Sequence, residues 1–111
     1  MNFSVFPSGK FKKETKRLIK KFPSLKQELA ILASTLEIHL ETGTPLGNNT
    51  YKIRVAIKSK GKGKSGGGRI ITYVVTEDRE VYLLTIYDKS ELSFIDDKII
   101  KAIMDSLESN K

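Results

Sequence analysis

The hydrophobic positions of this chain change their period along its length, and each change marks an element. From Asn2 to Phe6, Phe3 and Val5 share one parity, which predicts a short strand; Pro7-Ser8-Gly9 ends it. From Phe11 to Phe22 the spacing turns helical. Phe11, Thr15, Leu18, Ile19 and Phe22 fall on one side and the rest is mostly Lys and Arg, an amphipathic helix with a basic outer face. Pro23 stops it. Ser24 and Gln27 have capping-box spacing, so a second helix starts at once. Leu25, Leu29, Leu32, Leu36 and Leu40 form its stripe, with Ala33 alongside. Thr42-Gly43-Thr44-Pro45 is a stop signal, and Leu46 to Asn49 reads as a connecting loop. Helices joined this tightly make a hairpin able to cover one face of a sheet.

Period two returns at Tyr51. Tyr51, Ile53, Val55 and Ile57 take one parity and Lys52, Arg54 and Lys58 the other, so this strand has a buried face and a cationic face. Lys60 to Gly68 carries no apolar residue and reads as a basic loop. Arg69 to Val75 and Val81 to Tyr87 are apolar on both parities, as central strands covered on both faces are, with Glu77 to Glu80 as the turn between them. A last helix is expected from about Phe94 to Leu107, capped by Ser93 with Asp96 and striped by Ile95, Ile99, Ala102, Ile103 and Leu107. The predicted order is β-α-α-β-β-β-α, an α+β fold with an antiparallel meander, in one domain spanning residues 1–111.

Charge narrows the partners. The net charge is +7, which argues for a polyanion, nucleic acid before an anionic membrane surface. The excess is uneven: Lys10 to Lys26 holds eight basic residues against Glu14 alone, and Tyr51 to Arg69 holds seven and no acid, while acids outnumber bases from Glu77 onward. With no cysteine, disulfides and thiol catalysis are excluded, in keeping with a reducing cytoplasm. No apolar run approaches transmembrane length, so no membrane partner is expected.

Most familiar chemistries find no support. Gly63-Lys64-Ser65 suggests a phosphate loop, but Lys58 stands where the first glycine belongs and a strand comes next where a helix should open. His39 is the sole histidine and sits between apolar positions of the second helix, as a packed or surface residue. No metal-ligand cluster is visible, no cofactor is implied, and Asp96-Asp97 reads as helix-start charge. The sharper signal is the row of Lys52, Arg54 and Lys58, whose cations repel one another unless an anion joins them. Arg69 opens the neighbouring strand, Tyr73 shares its parity, and Tyr87 and Lys89 close the last strand. Cations with interleaved tyrosines suit RNA. Such a set can also cleave it: the 2′-OH is the nucleophile, arginines stabilise the charge building on the phosphate, and a lysine among other cations can act as a base.

In YKIRVAIKSKGKGKSGGGRIITYV, followed by VYLLTIYDKSE, the sequence resembles the RelE/ParE superfamily of bacterial toxins, in particular the HigB-like branch. The resemblance implies helices against a curved antiparallel sheet. It also implies a metal-independent mRNA interferase of a type II toxin–antitoxin module. Such a toxin works in the ribosomal A site, leaves a 2′,3′-cyclic phosphate, and is neutralised by a cognate antitoxin. Carried onto this chain, it implies catalytic roles for Lys52, Arg54, Arg69 and Lys89, base stacking by Tyr87, and ribosomal RNA contacts by Lys58, Lys60, Lys62 and Lys64. Two other readings stay open: a ParE-like inhibitor of DNA gyrase that leaves RNA uncut, and a nucleic-acid-binding module without catalysis.

Overall fold

The computed structural model describes residues 3–57, 67–92 and 94–109. Its elements are β1 (Ser4–Pro7), α1 (Gly9–Lys21), α2 (Leu25–Ile38), β2 (Thr44–Gly47), β3 (Thr50–Val55), β4 (Gly68–Val75), β5 (Glu80–Asp88) and α3 (Asp97–Ser109). The five strands form one sheet in the order β1-β5-β4-β3-β2. All neighbours are antiparallel except β1, which lies parallel to β5.

β2 departs from the predicted order, standing where the sequence predicts a stop and a connecting loop. All four of its residues are exposed, so no hydrophobic period announces it. Backbone geometry makes it. Gly43 has φ +106, and a Cβ there would stand 2.5 Å from the Lys52 carbonyl oxygen. The chain can therefore turn back beside β3 only with glycine at this point. Pro45 is tolerated because β2 is an edge strand. Asn48 and Asn49, with φ 53 and 62, supply the left-handed turn into β3.

Both faces of the sheet are covered, as the two-parity apolar pattern of β4 and β5 requires. On one face Ile53, Val55, Ile57, Ile70, Val74, Val81, Leu83 and Ile86 bury against Phe11 and Leu18 of α1 and Leu25 and Leu36 of α2. On the other, Ile71 and Leu84 pack against Ile100 and Ile103 of α3. The pattern of β5 passes through a register shift opposite Ile71 and Thr72, where Ile71 faces Thr85 and Thr72 faces Leu83. Leu84 is the extra residue, a β-bulge that adds twist.

α1 is fastened to this bulge. Ser8 caps the helix, accepting from the Phe11 N–H at 3.0 Å, and its hydroxyl donates to the Leu84 carbonyl at 2.7 Å. Glu14 Oε1 accepts from the Thr85 hydroxyl at 2.7 Å and from the Ile86 N–H at 3.2 Å. The one acid of a lysine-rich helix thus faces the sheet.

Ser24 holds the N-cap position of α2 but makes no side-chain cap bond, because its own backbone is helical at φ -64, ψ -19. α3 is rotated from the predicted stripe. Ile100 and Ile103 are buried with Ile95, Met104 and Leu107 packed beside them, whereas Ile99 is 47% exposed and Ala102 is exposed. Ile99 and Ile100 are adjacent, and the sheet takes the second. The helix begins at Asp97, and Asp96 Oδ1 accepts the Lys98 N–H at 2.8 Å. Its expected cap partner, Ser93, lies outside the described residues. Among the described residues, no helix is long and apolar enough to cross a membrane.

Candidate functional site

The cationic parity of β3 points to the sheet face that α3 covers, because Ile53 and Val55 claim the face under α1 and α2. Register then decides which side chains meet. Arg54 pairs with Arg69 on β4, and Arg69 pairs with Tyr87 on β5. These residues form a rung across three strands, and direct cross-strand neighbours stand about 5 Å apart at Cβ. One step along, Lys52 pairs with Ile71. The rung lies at the end of the sheet away from α3's apolar contacts, where the chain leaves Val55 and Ile57 for the Lys/Gly segment and returns at Gly67.

Depth differs across the rung. Arg54 is exposed, Lys52 half-buried and Lys89 exposed. Arg69 is 3% exposed and Tyr87 6% exposed. Arg69 Nη1 donates to the Gly68 carbonyl at 3.0 Å. Burial pushes the Tyr87 phenol above its ordinary pKa, and the Arg69 guanidinium opposes that shift without cancelling it. Tyr87 is therefore a neutral phenol beside a guanidinium. Burial leaves little of its ring at the surface.

The turn after β5 holds a residue that the sequence pattern does not single out. Asp88 is 1% exposed, and its Oδ1 accepts from the Ser90 N–H at 3.0 Å and the Ser90 hydroxyl at 2.8 Å. This is an Asx-type turn. With the Lys89 N–H bonded to the Gly67 carbonyl at 3.1 Å, it sets the direction in which Lys89 leaves the sheet. The Asp-x-Ser spacing was the available signal.

Other predicted members are not brought to the rung. Tyr73 shares the parity of Arg69 but stands four residues along β4, about 13 Å away at strand rise. It stacks on Tyr82 with centroids 6.3 Å apart and packs under α3. Lys58, Lys60, Lys62 and Lys64 lie outside the described residues, as does Gly63-Lys64-Ser65. The next element after that tripeptide is strand β4, not the helix a phosphate loop requires. His39 is exposed at the C-cap of α2. Among the described residues no group of His, Cys, Asp or Glu could hold a metal ion.

The surface therefore combines an exposed arginine, a second arginine behind it, a neutral phenol and two lysines around one strand end. It can bind a phosphodiester and stabilise added negative charge on it. No protein-family model matches the chain. Solved structures do resemble it. A mutant of the toxin RelE of E. coli in the free state is 18% identical with TM-score 0.54, covering 84% of this chain and 90% of that one. The toxin–antitoxin complex RelBE2 from Mycobacterium tuberculosis is 16% identical with TM-score 0.55, covering 79% and 92%. The intact RelBE toxin–antitoxin complex of E. coli is 18% identical with TM-score 0.51, covering 78% and 95%. At such identities the shared property is the fold, and the fold of this chain is RelE-like.

Proposed function

We propose that this chain is a HigB-like toxin of a type II toxin–antitoxin module, a ribosome-dependent endonuclease that cuts mRNA in the A site. The observation that carries this reading is the rung of Arg54, Arg69 and Tyr87, flanked by Lys52 and Lys89, on a RelE-like fold. The ribosome presents the mRNA, an antitoxin holds the toxin inactive, and both act in the cytoplasm.

In this mechanism the mRNA phosphate docks against the exposed Arg54 guanidinium, with Arg69 behind it. The 2′-oxygen attacks phosphorus, its proton passes to Lys52 or Lys89, and the bond to the 5′-oxygen breaks as that oxygen gains a proton. The products are a 2′,3′-cyclic phosphate and a 5′-hydroxyl, with neither metal nor cofactor consumed. One guanidinium on the phosphate, with the charge of a second buried beside it, stabilises the pentacoordinate state more than the ground state, which is what accelerates a reaction. Tyr87, a neutral phenol, adds no opposing charge beside Arg69, and Asp88 positions Lys89 through its turn.

The test is induction of the chain in a bacterial host, with primer extension on a translated reporter. Wild type should arrest growth and create new 5′ ends that vanish when translation is blocked. Arg54→Ala, at an exposed position, should keep the fold and lower cleavage by about 10²–10³-fold, the usual effect of losing one transition-state donor. Arg69→Lys should keep a cation at the buried site yet also lose most activity, since one ammonium does not replace a guanidinium fork. Undiminished cleavage in both variants would overturn the assignment. Arrest with intact mRNA and inhibited supercoiling would favour gyrase as the target, and salt-sensitive binding without arrest a plain nucleic-acid module.

A further inference from the structure

We infer that the outer face of α1 is a second RNA-backbone site, forming one cationic track with the rung around the end of the sheet. The face is made of two rows at i, i+4 spacing: Lys12, Lys16 and Lys20, and beside them Lys13, Arg17 and Lys21. At 100° per residue these six span about half of the helix circumference, opposite Phe11 and Leu18, which are buried. All six are exposed. Glu14 is turned to the sheet by Thr85 and Ile86, so it does not neutralise the rows. Among the described residues, the only ion pair on this face is Arg17 with Glu91, at 3.4 Å and exposed. Lys13, Lys16, Arg17, Lys20 and Lys21 fan out around an open trough.

Like charges at i, i+4 work against the helix that carries them, and this helix has three in each of two rows. From Lys12 to Lys21 is nine steps, about 14 Å of helix, so six cations share a stretch only a few nucleotides long and can engage several phosphates of one backbone. A membrane surface fits less well. An amphipathic helix that lies on lipid inserts an exposed apolar face, and the apolar face of α1 is consumed by the core.

Position links the face to the rung. α1 runs alongside β5: Ser8 meets Leu84, Glu14 meets Ile86, and Arg17 meets Glu91 beyond the strand end. Its last basic turn, Lys20 and Lys21, is thus at the end of the sheet that holds Tyr87 and Lys89. A backbone leaving the rung past Lys89 crosses the Asp88–Glu91 turn and meets α1. In naming RNA as the occupant this inference rests on the proposed endonuclease function, but its test does not use cleavage.

The experiment measures binding of a fluorescent single-stranded RNA over roughly 50–200 mM salt. It compares wild type, the triple variant Lys12→Gln, Lys16→Gln, Lys20→Gln, and a charge-matched control, Lys26→Gln, Lys98→Gln, Lys101→Gln, with circular dichroism confirming the fold of each. The α1 triple should bind at least tenfold more weakly at the low-salt end, and its salt slope should fall by about 2, three contacts at 0.7 each. The control should lose far less. Equal losses in triple and control would reduce the effect to net charge and overturn the proposal, as would an unchanged slope in the triple. Vesicles of phosphatidylserine and phosphatidylcholine form the other arm. A triple variant that loses vesicle binding and retains RNA binding would make the face a membrane contact and equally overturn it. Loss of RNA binding in the α1 triple while wild type cuts no mRNA would retain the α1 site and reject the endonuclease reading.

Discussion

At the scale of residues, Glu14 shows how much one side chain can do that composition does not report. Composition makes it a lone acid in a basic stretch. The structure makes it a clamp that satisfies the Thr85 hydroxyl and the Ile86 N–H next to the bulge, with Lys10 at 3.3 Å on its other oxygen. Glu14→Ala removes the acceptor and leaves two donors of the sheet without it, so it should lower unfolding stability by about 1–3 kcal/mol. Glu14→Gln keeps a carbonyl oxygen and should retain most of that stability. Urea denaturation of both variants checks this; equal losses would mean that charge, not hydrogen bonding, is what the sheet uses. The candidate site was legible to the same degree. Parity alone put Lys52, Arg54, Arg69 and Tyr73 on one face. It could not say that Arg54 stands opposite Arg69 while Tyr73 stands at the far end under α3, because register depends on where the chain re-enters the sheet. Nor could it give depth, which leaves Arg54 exposed and buries Arg69 and Tyr87.

At the scale of elements, the junction where β3 and β4 part is the most constrained point near the rung. A Cβ on Gly67 would collide with the Val55 carbonyl oxygen and lie 3.2 Å from the Ala56 Cα. Gly67→Ala must therefore push the two strand ends apart at the Arg54–Arg69 pair. It should cost about 1–3 kcal/mol in thermal unfolding, the range of local backbone strain, and, on the proposed function, weaken RNA binding as well. Gly9 has open space around it and ordinary φ, so Gly9→Ala should be neutral or slightly stabilising in the same assay. The elements themselves were legible where side chains reported burial. β4 and β5 announced themselves by apolar residues on both parities, and α1 by its stripe. β2 did not, since an exposed edge strand of four residues leaves no hydrophobic signature. The face of α3 was ambiguous because Ile99 and Ile100 both offered themselves, and only docking on Ile71 and Leu84 chose between them.

At the scale of the whole molecule, stability should fall on the alkaline side. Burial, the hydrogen bond to Glu80 at 2.8 Å and nearby carboxylates raise Tyr82 to about 12, and burial raises Tyr87 in the same direction. Both phenols are held neutral by the fold, so the unfolded chain releases their protons first. Their contribution is complete below the ordinary tyrosine value near 10 and is lost as pH rises through the folded values, toward about 12 for Tyr82. Urea midpoints measured from pH 9 upward should decline across that window, and Tyr82→Phe should decline less steeply.

The parallel pairing of β1 with β5, and the Ser8 bond to Leu84 across 76 residues of sequence, have a consequence for how the chain is born. Synthesis delivers the helical hairpin before strands β2 to β5. Until β5 emerges, α1 has neither its bulge nor its core, and the arginine rung lacks its third strand. The β3-β4-β5 meander closes through nearer neighbours and can assemble as soon as it is complete, with β1 and α1 seated afterwards. On this order the arginine rung is complete only once β5 has been made and paired.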